Sequence, residues 1–318
     1  MVTAFRLTNQ PIIHQGLCPS LGDNINGPSL VVRPDWAPGE GRYILYFSHH
    51  KGQHIRLAVS DQLTGPWQVY RPGVLQLQET PLAQCRPDLP QPAWAEEAGT
   101  DGLYPHLASP DVWIDEKTRC FRMIYHGLAD HGEQVSYEAC SPDGYAWTTE
   151  GPEIAETYLR RFTYDGVVYA LARLGQLMRR DTDGWQIGPK LLPGTVRHVA
   201  LITRGSRLCV LYSEIGDAPE RIMHRQIEMT GDWRTWTPGP ETELLRPEHK
   251  WEGAELPPTA SIAGATEFTH QLRDPDLLQI DDDVILIYAG GGESALGVAR
   301  VVFDQVSESA NSRDRVER

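Results

Sequence analysis

Cysteine is scarce in this sequence, and long apolar runs are missing from it. The 318 residues include five cysteines, and no two of them form a CxxC pair. An odd number without such spacing indicates free thiols in a reducing cytoplasm rather than a disulfide framework. No run of 18 apolar residues occurs, so we expect no membrane span and no membrane partner. Met1 to Arg6 lack a basic segment followed by an apolar one, which predicts no secretory signal and a cytoplasmic location.

Basic residues are also few compared with acidic ones. The chain has 29 Lys and Arg against 43 Asp and Glu, a formal net charge of −14. A chain of this charge repels phosphate backbones, which argues against nucleic acid as a partner. Long amphipathic helices are missing as well, since no helical pattern exceeds about three turns, well below the helix content of ordinary domains.

Glycine and proline, by contrast, are plentiful, at 29 and 24 residues, as expected for many short strands joined by turns. One pattern recurs five times: a short polar opening, an apolar strand, and a second strand rich in Tyr, Ile, Leu and Val. The copies open at Gly27-Pro28-Ser29, Ser109-Pro110-Asp111, Tyr158-Leu159-Arg160, Val196-Arg197-His198 and Arg273-Asp274-Pro275. Five copies of a four-strand unit predict an all-β fold, a five-bladed β-propeller of four-stranded antiparallel blades.

The fifth copy lacks a fourth strand. We expect the N-terminal segment from Phe5 to Ile13 to supply it and so to close the ring. The predicted propeller comprises residues 1–306 as a single domain, and the polar residues 307–318 are expected to form a disordered tail. Two connections, residues 78–106 and 246–271, are too long for simple turns, and both are expected to overhang the central depression.

The blade pattern also predicts where polar side chains converge. The first two strands of a blade form a hairpin, so the start of strand one and the end of strand two lie at the same axial end. Strand-one starts contribute Asn26, Ser29, Ser109, Asp111, Arg160, Arg161, Arg197, His198, Arg273 and Asp274. Strand-two ends contribute His49, His50, His126, Arg173, Glu214 and Glu293. A polar pocket is therefore expected on one face of the ring.

Paired carboxylates in that pocket would suit glycoside hydrolysis, which needs one proton donor and one base or nucleophile. By position, Asp111 and Asp274 are the predicted central pair, and Glu252 or Glu214 the predicted proton donor. His198 is an alternative general acid or a ligand for a sugar hydroxyl. An Asp beside Pro can also cap a turn or pair with a nearby Arg, so a structural role for the two aspartates stays open.

Other residues are predicted to contact the substrate. Arginines near the rim favour an anionic substrate, and Trp251 could stack on a sugar face. The predicted substrate-binding residues are His50, His126, Arg160, Arg197, Glu214, Trp251 and Arg273. Histidines 49, 50, 126 and 198 could instead form a metal site. Because no HxH or HExxH spacing occurs, no cofactor and no metal ligand is predicted, and a divalent metal in the central channel is left as the alternative.

In these repeats the chain resembles the five-bladed propeller glycosidases, the superfamily of glycoside hydrolase families 43, 32, 68, 117 and 130. Ala108-Ser109-Pro110-Asp111-Val112 is similar to the APDV element of family 43, and Arg273-Asp274-Pro275 to the RDP element that opens blades in these families. The resemblance extends from about Asn9 to Phe303. Two family 43 positions differ, because the first blade has Asn26-Gly27-Pro28-Ser29 instead of a DP element and the third has Tyr158-Leu159-Arg160-Arg161 instead of a glutamate.

The resemblance therefore implies a divergent member with a rearranged site, in which only Asp111 carries over as a family 43 catalytic position. A histidine acid, as implied by the resemblance to family 117, keeps His198 and His126 as candidates. The implied activity is that of a glycosidase acting on a small oligosaccharide, with an anionic one favoured by the arginines near the rim. The alternatives are a carbohydrate lyase or phosphorylase on the same fold and a sugar-binding propeller without catalysis. The sequence predicts no particular oligomeric state.

Overall fold

The chain begins with two strands that return to the end of the molecule. A computed structural model describes residues 2–264 and 267–304, so the predicted tail at 307–318 lies outside the described residues. The strands β1 (Val2–Arg6) and β2 (Ile13–His14) both pair antiparallel with the last strand of the chain. The N-terminal segment thus closes the last blade as predicted, but the strand that does so is Val2–Arg6 and not the stretch from Phe5 to Ile13.

Between these ends the chain folds into successive four-stranded antiparallel sheets. The first blade contains β3 (Asn26–Val32), β4 (Tyr43–Ser48), β5 (His54–Ser60) and β6 (Gln68–Gln76). The short helix α1 (Ala93–Ala98) follows in the first long connection. The second blade contains β7 (Leu107–Asp115), β8 (Cys120–Leu128), β9 (Gln134–Ser141) and β10 (Thr148–Ile154).

The other three blades repeat the same order. The third contains β11 (Arg160–Tyr164), β12 (Val167–Leu171), β13 (Gln176–Asp181) and β14 (Gly184–Lys190). The fourth contains β15 (Val196–Arg204), β16 (Arg207–Glu214), β17 (Ile222–Glu228) and β18 (Thr242–Leu245). The fifth contains β19 (Leu272–Ile280), β20 (Asp283–Gly290) and β21 (Ala295–Phe303), with β1 at its outer edge.

The five sheets stand around a common axis as a five-bladed propeller, which confirms the predicted fold. The first strand of each blade is innermost: β19 contacts both β3 and β15, and β3 contacts β7. Apolar side chains fill the interfaces between neighbouring blades. One buried cluster joins the first and second blades through Tyr46 and Tyr125, and another joins the fifth and first through Phe47 and Ile287. Stacking against neighbours therefore stabilises blades that are too thin to have a core of their own.

No helix in the described part of the chain is long and apolar enough to cross a membrane.

Candidate active site

Each innermost strand opens with an irregular backbone at the same axial end of the ring. In β3, Asn26 pairs with Ser48 but Ser29 pairs with Tyr46, so one extra residue is inserted as a β-bulge. The same shift occurs at the start of β7, β15 and β19. Left-handed φ values occur at the openings of β3, β7 and β19, at Gly27, Ser109 and Asp274, and also at Tyr158, just before β11, whose register has no bulge.

These bulges determine which side chain points where. Asp274 occupies the position that Gly27 has in the first blade, whereas Asp111 corresponds to Ser29 and to Asp276. The Asp111 carboxylate accepts a hydrogen bond from the backbone N–H of Arg161 in the next blade, at 2.9 Å. Asp111 is therefore an inter-blade contact that lies outside the cavity described below. It is not brought together with Asp274 as the sequence predicted.

Asp274 lies at the floor of the site and forms a buried pair with His198. One carboxylate oxygen contacts His198 Nδ1, and the other accepts a hydrogen bond from the backbone N–H of Gly27 at 3.2 Å. Burial opposes ionisation of this carboxyl group. The neighbouring His198 and Arg273 outweigh the burial and hold the pKa of Asp274 below its ordinary range. Asp274 is thus an anion that orients the imidazole of His198.

Glu293 is the second carboxylate of the site, and it reaches the cavity from the turn after β20. It accepts hydrogen bonds from the side-chain amides of Asn24 and Asn26, at 3.0 and 2.9 Å, and from Arg273 Nη1 at 2.9 Å. His50 Nδ1 lies 3.9 Å away. Burial again opposes ionisation, but His50 and Arg273 lower the pKa of Glu293. Glu293 is therefore also held as an anion.

Glu220, a buried glutamate that the sequence analysis did not predict, binds two arginines of the site. Glu220, fully buried, pairs with Arg197 Nε and with Arg273 Nε, each at 2.9 Å. Arg197 also donates hydrogen bonds to the backbone carbonyls of Ser261 and Ala263, which tie the second long connection to the ring. Because both guanidinium groups are paired, they position neighbouring groups more than they offer charge to a ligand.

Above these residues lies a cavity of about 430 Å³. The two long connections overhang it, the first through Trp94 and Tyr104 and the second through Ile262. The ring itself contributes polar side chains at its inner rim, namely His50, Tyr158, Arg173, Arg197, His198 and Glu293. The volume is of the size that small-molecule sites have.

Histidines and tyrosines form a continuous row beside the cavity. His50 Nε2 lies 3.0 Å from the hydroxyl of Tyr104, and the ring of Tyr158 lies between His126 and His198, at centroid distances of 4.0 and 4.3 Å. Burial is the main cause that lowers the pKa of His50 and His126, so both rings stay neutral near pH 7. His126 is buried behind Tyr158 instead of lining the cavity.

Several predicted site residues lie elsewhere. Glu252 is fully buried at the outer part of the fifth blade, where it pairs with Arg6 at 2.8 Å. Trp251 stacks on Tyr288 next to a separate surface groove. Glu214 accepts a hydrogen bond from the Thr195 hydroxyl and does not line the cavity. Arg160 binds the backbone carbonyls of Pro28 and Pro110 between blades. Among residues 2–264 and 267–304, no three His, Cys, Asp or Glu side chains are grouped as metal ligands.

Comparisons with known proteins agree with this architecture. The chain is 32% identical over 308 residues to the uncharacterized protein R118 of Acanthamoeba polyphaga mimivirus, covering 87% of this chain and 83% of that protein. No family model matches the chain.

Solved structures with the same fold are glycoside hydrolases at low identity. A thermostable family-43 glycoside hydrolase superposes with a TM-score of 0.57 at 13% identity, over 89% of this chain and 91% of that one. The α-L-arabinanase of Cellvibrio cellulosa, complexed with arabinohexaose, gives 0.51 at 14% identity, over 89% and 93%. An exo-1,5-α-L-arabinanase from a bovine ruminal metagenomic library gives 0.51 at 16%, over 89% and 94%. These likenesses establish the propeller fold that family-43 enzymes share.

Proposed function

We propose that this chain, which belongs to the same family as the mimivirus protein R118, is a glycoside hydrolase-like enzyme that cleaves a small carbohydrate in its central cavity. The observation that carries the proposal is the convergence of the Asp274–His198 pair and Glu293 at one cavity of about 430 Å³. This equipment lies at the polar axial end of a fold that known glycosidases share. Asp111 and Glu252 have no part in it, because both lie outside the cavity.

The chemistry needs one group that protonates the leaving oxygen and one that activates water. Glu293 is ionised and lines the cavity, so it would accept a proton from the water that attacks the anomeric carbon. His198 would donate a proton from Nε2 to the glycosidic oxygen as the bond to the anomeric carbon breaks. Asp274 holds the ring through Nδ1, which leaves Nε2 as the reacting nitrogen. Glu293 then releases its proton to solvent and His198 takes up a proton from solvent, so that the net reaction consumes one water molecule.

The surroundings of His198 Nε2 set a condition on substrate binding. His198 Nε2 has no hydrogen-bond partner among the described residues and is screened from solvent, with the Tyr158 ring nearby. A bound sugar must therefore displace the Tyr158 ring slightly before the proton can transfer. Tyr158 takes a left-handed φ of 55°, so it lies at a backbone opening rather than within a regular strand.

The test compares activity and stability in matched variants. Sugar release from a panel of p-nitrophenyl glycosides and neutral and acidic oligosaccharides is measured for the wild type, His198→Gln, Asp274→Asn and Glu293→Gln. We expect each variant to lose about 100-fold or more of kcat, the usual contribution of a general acid or base. Asp111→Asn is the control, since this aspartate lies outside the cavity, and it should keep its activity. Ultraviolet absorbance of unsaturated products and dependence on phosphate, recorded in parallel, separate hydrolysis from elimination and phosphorolysis.

The proposal fails if the wild type releases no sugar from any member of the panel, or if His198→Gln and Asp274→Asn turn over at the wild-type rate. Thermal melts of all variants separate loss of chemistry from loss of fold.

A sugar-binding propeller without catalysis is the second candidate, and one observation favours it. The pKa values of Asp274 and Glu293 both lie below the ordinary range, and hydrogen bonds from Gln91 and Leu103 also lower the pKa of Asp101 at the rim. Asp274, Glu293 and Asp101 are therefore not poised to donate a proton. Oligosaccharide binding in calorimetry with no product after long incubation would support this candidate over the enzyme.

A further inference from the structure

Arg173 differs from the other arginines near the cavity. Its guanidinium group makes no side-chain hydrogen bond or ion pair with any residue the structure describes, and it lies 6.0 Å from the centre of the Tyr158 ring. The sequence pointed to four other arginines as a source of positive charge. All four are engaged with carboxylates, carbonyls, a hydroxyl or a Trp ring, namely Arg160, Arg161, Arg197 and Arg273. Arg173 is thus a cavity-lining arginine whose hydrogen-bonding capacity is unused.

Arg173 also lies at a boundary between two cavities. Beside the central cavity, a smaller one of about 210 Å³ opens toward the surface along the second and third blades. Three residues line both cavities, namely Trp94, Gln134 and Arg173. A substrate with more than one sugar ring that extends from the centre into the smaller cavity must therefore pass the guanidinium group.

We propose that Arg173 binds the carboxylate of a uronic acid residue, which makes uronic-acid-containing saccharides the substrate class of this site. The planar guanidinium group matches a carboxylate in a bidentate arrangement. Lys51 also lines the central cavity, with its ammonium group 4.9 Å from the centre of the Tyr104 ring, but an ammonium group is a point charge without the planar fork that matches a carboxylate. The acidic side chains along the two cavities would repel a phosphate dianion more strongly than a carboxylate, and they are Glu97, Asp101, Glu133, Glu156 and Glu293. The inference rests on the proposed function, which makes the cavity a sugar site. The preference for an acidic sugar rests on Arg173.

The experiment measures binding to matched sugar pairs by calorimetry and saturation-transfer NMR. The probes are D-glucuronate against D-glucose and D-galacturonate against D-galactose, with acetate and inorganic phosphate as simple anions. We expect the full-length wild-type protein to prefer the uronate in at least one pair by about tenfold or more, as a charged hydrogen bond contributes. Arg173→Met should reduce that preference to less than about threefold. Arg204→Met is the control, because Arg204 lies over the Phe303 ring away from the cavity.

The outcomes separate this inference from the proposed function. Equal affinity for both members of each pair overturns the inference, and so does a uronate preference that survives in Arg173→Met. The inference is also overturned if acetate or phosphate binds as tightly as the uronate, since the site would then recognise negative charge alone and not a sugar. A preference that depends on Arg173 without any cleavage supports the inference and contradicts the enzyme. Absence of binding to every sugar contradicts both.

Discussion

Two aspartates on one strand illustrate how the environment of a residue determines its charge. Asp274 and Asp276 are both buried in β19, two residues apart. Asp274 faces His198 and Arg273, and its pKa falls. Asp276 accepts a hydrogen bond from the backbone N–H of Leu30 at 2.8 Å, but burial dominates and raises its pKa to about 6. One carboxyl group is therefore fixed as an anion for the cavity, while the other, which joins two blades, is costly to ionise.

The free-energy cost of ionising Asp276 predicts how the stability of the fold depends on pH. The folded state binds the proton of Asp276 more tightly than the unfolded chain, whose pKa is near 3.8, so this group destabilises the fold as pH rises from about 4 to about 6. Asp276→Asn keeps a neutral group that can accept the Leu30 hydrogen bond. We expect the stability of the variant relative to wild type to rise by roughly 2 kcal/mol between pH 4 and pH 6. Urea unfolding at pH 4, 5, 6 and 7 measures it, and a difference independent of pH would contradict the prediction.

At the scale of elements, the blade openings explain what could be predicted from the sequence. The recurring strand pattern correctly predicted five blades, because packing requires the same apolar alternation in every copy. The prediction treated Asp111 and Asp274 alike as strand starts, although Asp111 follows the proline of its opening and Asp274 precedes the proline of its own. The bulge lies at this proline in β3, β7 and β19, and residues on either side of it point in different directions. Asp111 and Asp274 therefore occupy non-equivalent positions and do not share one pocket.

The long connections were harder to predict than the strands. Their length indicated that they overhang the cavity, but the places of Trp94, Tyr104 and Glu252 depend on contacts with distant parts of the chain. Glu252 binds Arg6, 246 positions away, and no local pattern contains that information. The sequence also did not predict Glu220 as a site residue, because only the fold brings Arg197 and Arg273 to either side of it.

The openings of the first, second and fifth blades each join that blade to the next one through one polar side chain. Ser29 Oγ accepts a hydrogen bond from the backbone N–H of Val112 at 2.9 Å, in the role that Asp111 and Asp276 have at other interfaces. The close approach also explains a glycine at this point, since a Cβ on Gly27 would lie 3.0 Å from Ser109 Cα. Side-chain acceptors at the openings thus replace strand pairing between sheets.

The element-scale prediction tests this contact with two buried serines. Ser29→Ala leaves a buried N–H of Val112 without its acceptor, which should cost about 1–3 kcal/mol of unfolding free energy. Ser213→Ala is the matched control, because the Ser213 hydroxyl is buried and has no hydrogen-bond partner in the described chain. Chemical denaturation should therefore show a clear loss for the first variant and little change for the second. Equal losses would mean that side-chain volume, rather than the inter-blade hydrogen bond, is what matters.

At the scale of the whole molecule, the cavity exists only while the ring is closed. Glu293 lies in the turn between β20 and β21, the two strands nearest to β1 in the closing sheet, and Asp274 lies on β19 of the same blade. Arg6, at the end of β1, stabilises the closed ring by binding Glu252, Glu248 and the backbone carbonyl of Arg246. The two carboxylates of the site, Asp274 and Glu293, thus belong to the blade that Arg6 closes.

Arg6 provides the last prediction, because its partner Glu252 is inaccessible to solvent. Arg6→Met leaves the Glu252 charge buried with hydrogen bonds only from Tyr288 and backbone N–H groups, and breaking a buried pair in this way costs about 3–5 kcal/mol. The double variant Arg6→Met with Glu252→Gln removes that charge as well, so denaturant unfolding should find it more stable than the single variant. Sugar binding below the unfolding transition should be the same in both variants and in wild type, because neither residue lines the cavity. A selective loss of binding in the double variant would instead place Glu252 in the site, where the sequence first suggested it.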